Sequence, residues 1–456
     1  MKVLVANRGE IAVRVIRACH DLGLQTVAVY SEVDAEALHV LLADEAICIG
    51  EAPSSKSYLK ISSILAACEI TGADAIHPGY GFHSENANFA SICESCGVVF
   101  IGPPPKAISL LGNKAEAKKL AKSAKVPVIP GSDGAIKDVT QALKEARKIG
   151  FPIFIKAVAG GGGKGIRVAL SEEEFVKQFV AAQTEAEVNF HNPDVYIEKM
   201  VLHPRHVEVQ IIGDKHGNYV HLGERDCSIQ RRRQKLIEET PSPILSSSLR
   251  KKMGEAALHL AKEAKYHSVG TVEFLVDNEK NFYFMEMNTR IQVEHTITEE
   301  MTGIDLVAEQ IRIACGEKLS FKQKEIELEG HVFEFRINAE DPKNRFMPSP
   351  GKLEYYIVPG GPHVRLDSAC YAGYTIPPHY DSLIAKLIVK GKNRKEAIEI
   401  AKRALREFHI TGVSSTIPFH LYMLEDKRFL ENDYTLSYVD SLIAEGCLFT
   451  HPHSER

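Results

Sequence analysis

The sequence predicts a multidomain protein of the α/β and α+β classes, with a doubly wound parallel sheet first and a mainly β region last. Strand-like and helical patterns alternate over the first hundred residues, which is typical of a parallel sheet covered by helices. In the middle of the chain, a run of glycines lies between two strands. From Glu329 the pattern becomes mostly β, and a chain of 456 residues is long enough for about two to four domains.

Short apolar segments define the predicted N-terminal sheet. Its first turn, Asn7-Arg-Gly-Glu10, has one glycine and so lacks the Gly-x-Gly-x-x-Gly fingerprint of dinucleotide-binding sheets. The segment His77-Pro-Gly-Tyr-Gly-Phe82 follows the carboxyl end of a strand, where such sheets commonly bind ligands. A binding loop and an ordinary Pro/Gly turn fit this segment equally well. The predicted strands are 2–6, 25–30, 45–49, 73–77 and 98–101, and the predicted helices are 10–22, 36–42, 58–71, 86–95 and 106–125.

A glycine-rich segment separates two strands of the central region. Strand 151–156 is followed by Ala159-Gly-Gly-Gly-Gly-Lys-Gly165 and then by strand 166–169. A dinucleotide turn would precede a helix, and a Walker A loop would contain Gly-Lys-Ser/Thr, so neither is predicted. A glycine loop between strands can close its backbone N–H groups over phosphates, with Lys156 as a point charge. Four successive glycines are entropically costly, which favours this flap over an ordinary hairpin.

Two adjacent strands predict a metal site. Segment 282–294 alternates polar and apolar residues, which predicts one long strand with a polar face. A short turn after strand 270–276 would place Glu273 opposite Glu286, where like charges are unfavourable unless a cation lies between them. Carboxylate and amide oxygens beside phosphates suit Mg²⁺. The other polar residues of this face are Asn288, Arg290 and Glu294, which we expect to be a ligand, an anion holder and a general base.

Charge and composition exclude several classes of protein. The formal net charge of −5 does not predict an electrostatic attraction for nucleic acid. No apolar run approaches the length of a membrane span. A solvated charged segment is the default interpretation of the densest basic run, 224–235. Because acids bound this run, a local site for phosphate or carbonate is a better functional interpretation than a nucleic-acid tail. Nine irregularly spaced cysteines and an N-terminus without a signal-peptide pattern favour the cytoplasm.

Taken together, these segments resemble the biotin carboxylase family of ATP-grasp enzymes, and within it the separate subunit of bacterial acetyl-CoA carboxylase. The resemblance extends over roughly residues 1–445 and is carried by several long motifs. These are Ala6-Asn-Arg-Gly-Glu-Ile-Ala12, His77-Pro-Gly-Tyr-Gly-Phe82, Lys156 with the glycine loop, Glu224-Arg-Asp-Cys-Ser228, Glu286-Met-Asn-Thr-Arg-Ile-Gln-Val-Glu-His295 and Arg336-Ile-Asn-Ala-Glu-Asp341.

The resemblance implies an ATP-grasp fold with three parts. A Rossmann-like domain would cover residues 1–113, and the ATP-grasp region 114–315 would include a flap at about 131–203. A mixed α+β domain would cover 330–445. The implied ATP-binding residues are Lys114, Lys156, Gly162, Gly163, Glu198, Lys199, Met200, Val201, His206, Arg233, Glu273 and Glu286.

The resemblance also implies a chemistry. Glu273, Glu286 and Asn288 would bind two Mg²⁺ ions, with Mn²⁺ as a substitute. Lys235, Arg290 and the Val293 backbone would hold bicarbonate, which Glu294 would deprotonate for attack on the γ-phosphate of ATP. The resulting carboxyphosphate would supply CO₂ to biotin, which Arg336 and Tyr80 would contact. The four residues with catalytic roles would thus be Lys235, Arg290, Glu294 and Arg336.

Two departures from the family pattern concern Arg233, where the family usually has His or another residue that is not Arg, and His83, where Leu is common. The Met-Lys-Met signature of the biotin carrier is absent from the sequence. Biotin is therefore expected on a separate carrier protein, with separate carboxyltransferase subunits and a homodimeric enzyme. The first half-reaction of acetyl-CoA carboxylase, in fatty acid synthesis, is the leading interpretation. The alternatives are a component of propionyl-CoA or pyruvate carboxylase, another ATP-grasp carboxylate–amine ligase, and a nucleotide-binding regulatory protein.

Overall fold

The computed structural model describes residues 1–158, 165–190, 192–446 and 448–449. By backbone contacts these residues form two compact units. The first comprises Met1–Val126, Arg205–Phe274 and the chain from Glu286 onward, and the second comprises the described parts of Pro127–Pro204 with Leu275–Met285. Within the described chain, no helix combines the length and the apolar character that crossing a membrane requires.

The chain begins with a five-stranded parallel sheet in the order β3-β2-β1-β4-β5. This confirms the predicted Rossmann-like sheet. The predicted helix 106–125 is instead two helices, because the side chain of Asn113 accepts from the backbone N–H groups of Ala115 and Glu116 and starts a new helix. The elements are β1 (Lys2–Val5), α1 (Gly9–Asp21), β2 (Gln25–Ser31), α2 (Leu38–Leu42), β3 (Glu45–Gly50), α3 (Ile61–Thr71), β4 (Ala75–His77), α4 (Ala87–Ser95), β5 (Val99–Phe100), α5 (Pro105–Gly112) and α6 (Lys114–Ser123).

The strand order reverses between β1 and β4, which is where such sheets open a crevice at their carboxyl ends. Asn7, after β1, donates its amide to the carbonyl oxygens of Pro78 and Tyr80, after β4, both at 2.7 Å. Gly79 has φ of +62°, and a Cβ there would lie 2.9 Å from the Asn7 amide nitrogen. The two loops of the predicted ligand edge are therefore held together.

The second unit contains a three-stranded antiparallel sheet in the order β7-β6-β8, covered by helices. The predicted strands on both sides of the glycine loop are confirmed. The loop itself, including Gly162 and Gly163, lies outside the described residues. The elements are α7 (Val139–Ile149), β6 (Ile153–Ala157), β7 (Ile166–Ala169), α8 (Glu172–Phe190) and β8 (Val195–Lys199).

An eight-stranded sheet in the order β13-β12-β9-β10-β11-β14-β21-β19 extends into the C-terminal part of the chain. Its last three strands are β14 (His331–Asn338), β21 (Leu383–Gly391) and β19 (Val364–Ser368). All nine residues of β9 are buried, so its polar His206, Glu208 and Gln210 must find partners inside the protein. The elements that supply its first part are β9 (Arg205–Gly213), β10 (Tyr219–Arg231), β11 (Gln234–Thr240), α9 (Ser247–Glu263), β12 (Ser268–Val276), β13 (Phe282–Asn288), α10 (His295–Thr302) and α11 (Leu306–Ala314).

The predicted long strand 282–294 is wrong at its end. β13 stops at Asn288, and Thr289 to Glu294 form an irregular turn before α10. The backbone N–H of Thr289 donates at 3.0 Å to the carboxylate of Glu85. This hydrogen bond replaces the one that a neighbouring strand would otherwise accept. The polar residues of the pattern consequently do not share one strand face.

The remaining elements build the predicted α+β region around a core of buried aromatic and aliphatic side chains. β14 pairs with β11, which joins this region to the same sheet as the central segment. The elements are β14 (His331–Asn338), β15 (Glu340–Asp341), β16 (Met347–Pro348), β17 (Gly351–Lys352), β18 (Tyr356–Ile357), β19 (Val364–Ser368), β20 (Thr375–Ile376), β21 (Leu383–Gly391), α12 (Arg394–Glu407), β22 (His409–Ile410), α13 (Ile417–Met423), α14 (Lys427–Leu430) and α15 (Tyr438–Ala444). The proposed domain limits after residues 113 and 315 remain predictions.

Arg225 occupies the interior of the eight-stranded sheet. Its side chain is fully buried and donates to five acceptors from two other strands, a turn and a helix. The acceptors are Glu208 Oε1 at 2.6 Å, Gln210 Oε1 at 2.5 Å, Thr298 Oγ1 at 3.0 Å, Thr271 Oγ1 at 3.1 Å and Gln292 Oε1 at 2.5 Å. A guanidinium has five N–H donors, so this set satisfies it fully. The turn after β13 and helix α10 are thereby tied to β9, β10 and β12.

We expect Arg225→Met to lower the free energy of unfolding of the first unit by about 3–5 kcal/mol, because it leaves Glu208 as a buried charge without this partner. Urea denaturation followed by circular dichroism measures the change. Arg17→Met is the matched control, since Arg17 is exposed on α1, and it should change stability by about 0.5 kcal/mol or less. Equal effects of the two substitutions would contradict the central role of Arg225.

Glu239 connects β11 to the C-terminal helices. Its carboxylate lies 2.8 Å from Arg394 Nε and 2.7 Å from His331 Nε2, and it accepts at 2.7 Å from the Tyr434 hydroxyl. Burial alone would raise the pKa of Glu239, but Arg394 and His331 hold that pKa well below its usual range. Since the folded-state pKa is depressed, the stabilisation is complete above the unfolded value of about 4.3 and is lost as the pH falls.

Glu239→Gln should therefore lower the free energy of unfolding by about 3 kcal/mol at neutral pH, and the difference from the parent protein should shrink as the pH falls below about 4. Denaturation midpoints at neutral and acidic pH measure this. Glu407→Gln removes an exposed pair with Arg403 and should change stability by about 0.5 kcal/mol or less at either pH. A Glu239→Gln deficit that does not vary with pH would refute the assignment.

Candidate active site

A lysine at the start of β11, with 12% of its side chain exposed, lies among three carboxylates. Nζ of Lys235 is 2.6 Å from Glu208 on β9 and 3.4 Å from Glu273 on β12, and it also donates to Glu294 in the turn before α10. Burial alone would lower the pKa of Lys235, but the three carboxylates hold that pKa well above its usual value. The lysine is thus a fixed positive charge, as its predicted role toward bicarbonate requires.

Glu294 is held between two cations. Its Oε1 accepts from Lys235, and its Oε2 lies 2.9 Å from Nη2 of Arg336 on β14. Burial would raise the pKa of Glu294, whereas Lys235, Arg336 and Arg225 lower it well below its usual range. The group is therefore an ionised carboxylate at neutral pH, which is the form that a general base needs. The structure brings together three of the four predicted catalytic residues here.

Arg336 is also paired with a second buried carboxylate. Its Nε and Nη2 lie 2.6 and 2.5 Å from Oε1 of Glu238 on β11. Burial would lower the pKa of Arg336, and the charges of Glu238, Glu294 and Glu334 raise it instead, so the guanidinium stays charged. Its side chain is 13% exposed, so part of it remains accessible to a ligand.

The predicted metal ligands are brought together in part. Glu273 Oε1 accepts from the Asn288 amide at 2.7 Å and from the Gln292 amide at 2.9 Å, and its Oε2 lies 3.1 Å from His206 Nε2. Burial would raise the pKa of Glu273, but Lys235 and His206 hold it well below its usual range. The carboxylate is ionised and offers hard oxygen atoms, which fits a magnesium ion beside phosphates.

Glu286 differs from the other two predicted metal ligands. Its side chain is 40% exposed, and its Oε2 lies 3.4 Å from Nζ of Lys114, the first residue of α6. Two carboxylates and an amide oxygen are a donor set that suits Mg²⁺ or Mn²⁺. Glu286 and Lys114, both predicted to contact ATP with its metal, are thus near neighbours.

The turn between β13 and α10 carries the predicted anion holders. Arg290 Nη2 donates at 2.9 Å to Asn288 Oδ1, and Arg290 Nε lies 3.1 Å from Glu85. The Val293 carbonyl accepts at 2.9 Å from Nζ of Lys386, a fully buried lysine on β21. These contacts fix the backbone of the turn that presents Arg290 and the Val293 N–H.

Tyr80, the predicted biotin contact, lies in the loop after β4. Its hydroxyl donates to Glu10 on α1, and Glu10 Oε2 lies 3.1 Å from Lys386 Nζ. Burial and the Glu10 charge raise the pKa of Tyr80 well above its usual value, so the phenol stays protonated. The lysine that holds the Val293 carbonyl therefore also connects to the loop of Tyr80.

The predicted ATP residues are distributed over both units. In the first unit, His206 Nδ1 lies 3.2 Å from the Gln230 amide, and Arg233 is exposed at the tip of the β10–β11 hairpin with φ of +69°. In the second unit, Lys156 and Glu198 form an ion pair of 2.6 Å. The Lys199 ammonium donates at 2.9 Å to two carbonyl oxygens, those of Gly150 and Phe151. Met200 and Val201 directly follow β8 and are partly buried.

Several residues of the site were not predicted. Arg225, Glu208 and Glu238 had no assigned role, although the first belongs to a quoted motif and the second alternates with His206 and Gln210 along β9. Glu85 was not singled out. The one sequence signal for such residues is a polar side chain at every second position of a strand. That signal indicates an internal site only if the strand is buried on both faces, which the sequence does not show.

Family comparisons cover most of the chain. Residues 1–108 match the biotin carboxylase N-terminal domain, and residues 113–322 match the ATP-binding domain of the carbamoyl-phosphate synthase L chain. Residues 334–441 match the biotin carboxylase C-terminal domain.

Individual relatives agree with these matches. Biotin carboxylase 1 of Bacillus subtilis is 56% identical over 98% of this chain and 99% of its own. One of the pyruvate carboxylase subunits of Methanothermobacter thermautotrophicus is 53% identical over 96% of this chain and 89% of its own. A crystal structure of the Hydrogenobacter thermophilus 2-oxoglutarate carboxylase biotin carboxylase domain dimer, in complex with ADP, magnesium and bicarbonate, is 50% identical with a TM-score of 0.88, over 97% of each chain. The chain belongs to the biotin carboxylase family.

Proposed function

We propose that this protein carboxylates biotin on a separate carrier protein, using ATP and bicarbonate. The observation that carries the proposal is the buried contact of Lys235, Glu294 and Arg336, which places an ionised carboxylate between two permanent cations. A small oxyanion can be held by the cations while the carboxylate removes its proton. The family to which the chain belongs supports the same reaction.

Glu294 acts as the general base toward bicarbonate. Both of its oxygens now contact cations, so an incoming bicarbonate competes for Lys235 and leaves one carboxylate oxygen free to accept a proton. Arg290 and the Val293 N–H hold the other bicarbonate oxygens. Since the carboxylate is already ionised at neutral pH, no proton has to leave Glu294 before turnover.

Arg336 stabilises the negative charge that develops on the ureido oxygen of biotin. A guanidinium cannot act as a base in a protein, so its contribution is electrostatic. Its ion pairs with Glu238 and Glu294 fix its position, which avoids reorganisation when charge develops. Tyr80 contacts the biotin from the loop after β4.

Glu273, Glu286 and Asn288 would hold two magnesium ions, or manganese in their place, beside the phosphates of ATP. Divalent ions there would neutralise phosphate charge and make the terminal phosphorus a better electrophile. Lys114 lies beside Glu286 and adds positive charge to the same region. His206 lies 3.1 Å from Glu273, whose charge raises the pKa of His206 against the effect of burial. The nucleotide roles of the glycine loop, Arg233 and the residues of the second unit remain predictions.

The proposed partners are a biotin carboxyl carrier protein, carboxyltransferase subunits and a second copy of this chain in a homodimer, working in the cytoplasm. Acetyl-CoA is the proposed final acceptor, in fatty acid synthesis. The similarity to a pyruvate carboxylase component supports pyruvate as the main alternative. Another ATP-grasp ligase would share the metal and ATP residues but would not need Lys235, Glu294 and Arg336 together.

The central test is ATP hydrolysis that depends on bicarbonate and rises when free biotin is added. We expect Glu294→Gln to lower kcat by about a hundredfold or more, because the amide cannot accept the bicarbonate proton. Nucleotide binding, measured by isothermal titration calorimetry, should be unchanged.

Glu317→Gln is the matched control, since Glu317 is exposed beyond the end of α11, and its turnover should equal that of the parent protein. Full turnover of Glu294→Gln would remove Glu294 as the base. An ATP hydrolysis rate that ignores both bicarbonate and biotin would instead refute the proposed reaction.

A further inference from the structure

Two buried glutamates face each other across neighbouring strands behind Arg336. Glu238 on β11 and Glu334 on β14 are paired in the antiparallel register, and both side chains are completely buried. Side chains at directly opposed positions lie about 5 Å apart at Cβ, and two like charges at such positions destabilise a sheet. Glu238 enters the reaction derived above only as an ion-pair partner of Arg336, and Glu334 has no role in it.

Each glutamate has one oxygen in a hydrogen bond and one without. Oε1 of Glu238 accepts from Arg336, and Oε2 of Glu334 accepts from the Thr296 hydroxyl on α10. Oε2 of Glu238 and Oε1 of Glu334 have no hydrogen-bond partner among the described residues. A buried carboxylate oxygen without a donor is costly, so a missing donor is expected between these two side chains.

Among the described residues, no cation forms an ion pair with Glu334, although Lys386 and Arg336 are near enough to lower its pKa. Lys235 on β11 contacts Glu208, Glu273 and Glu294, and Arg336 is shared between Glu238 and Glu294. Lys386 on β21 is 3.1 Å from Glu10 and 3.9 Å from Asp367. Thr296, from α10, is neutral. A proton on one of the two carboxyl groups can supply the donor that their open oxygens lack.

We propose that Glu238 and Glu334 hold one proton between them, with Glu334 as the neutral acid, and that this pair positions Arg336. The O–H of Glu334 then donates to Oε2 of Glu238 and fixes the Glu238 carboxylate. Oε1 of the same carboxylate accepts from Nε and Nη2 of Arg336. Both glutamates are positioning residues, since they act on the substrate through Arg336. The positioning role of the two glutamates rests on the proposed function, in which Arg336 contacts biotin.

The electrostatics of the pair support this distribution of the proton. Burial raises the pKa of Glu334 well above its usual value and the charge of Glu238 raises it further, against the lowering effects of Lys386 and Arg336. Burial also raises the pKa of Glu238, to about 7, against the lowering effect of Arg336. Since a group binds its proton below its folded-state pKa, Glu334 is protonated at neutral pH, while Glu238 keeps the ion pair with Arg336.

Infrared spectroscopy of the full chain tests the proton directly. A protonated carboxyl group has a C=O stretching band that differs from a carboxylate and shifts in D₂O. We expect this band to persist in the parent protein at neutral pH and to be lost in Glu334→Gln. Glu309→Gln, at a buried glutamate paired with Arg312, should leave the band unchanged. Absence of the band from the parent protein, or its retention in Glu334→Gln, would overturn the shared proton.

Kinetics test the positioning of Arg336. Glu334→Gln keeps a hydrogen-bond donor without charge, so its KM for biotin should match that of the parent protein. Glu334→Leu removes the donor and should raise the KM for biotin about tenfold, while the dissociation constant for ATP, measured by calorimetry, is unchanged. A tenfold rise in Glu334→Gln as well, or no rise in a folded Glu334→Leu, would overturn the positioning role. If biotin does not stimulate ATP hydrolysis by the parent protein, the proposed function is refuted. The shared proton would still stand, because the infrared band is measured without substrate.

Discussion

The structure of the first unit depends on a buried alternation of positive and negative side chains across the eight-stranded sheet. Arg225, Lys235 and Arg336 are separated by glutamates that each contact at least one of them. Isolated charges could not be buried at this depth, but a fully paired set can be. Because the partners come from β9, β11, β12, β14 and the turn before α10, the same contacts that allow burial also fix the site.

This arrangement explains why stability and chemistry are coupled here. Glu294 is kept ionised by Lys235 and Arg336, and those cations keep their charge because of the glutamates around them. A reactant anion can therefore enter by replacing existing contacts, and no new charge has to be created in the interior. Electrostatic groups that are oriented beforehand are the most effective in catalysis. The proposed proton on Glu334 likewise avoids an unpaired buried charge, and it orients Glu238, which in turn orients Arg336.

The predicted parallel sheet, the strands beside the glycine loop and the C-terminal α+β region were all confirmed, because apolar periodicity reports which face of an element is buried. The long strand through Glu294 was wrong. Its alternation of polar and apolar residues is also compatible with a turn whose apolar members, such as Ile291, point inward while Glu85 binds the Thr289 N–H. Periodicity cannot distinguish these two cases, because the deciding contact comes from about two hundred residues away.

The sequence by itself determined the classes of secondary structure, the motifs and the residue types available for oxyanion and metal chemistry, since these depend on local pattern and on side-chain chemistry. Only the tertiary structure decided that Arg225 is the buried centre, that Glu238 pairs with Arg336, and that Glu238 and Glu334 face each other. The physical reason is that the ionisation of a carboxyl group depends on its burial and on the charges beside it. Both are set by strands that are distant in the chain and adjacent in the sheet.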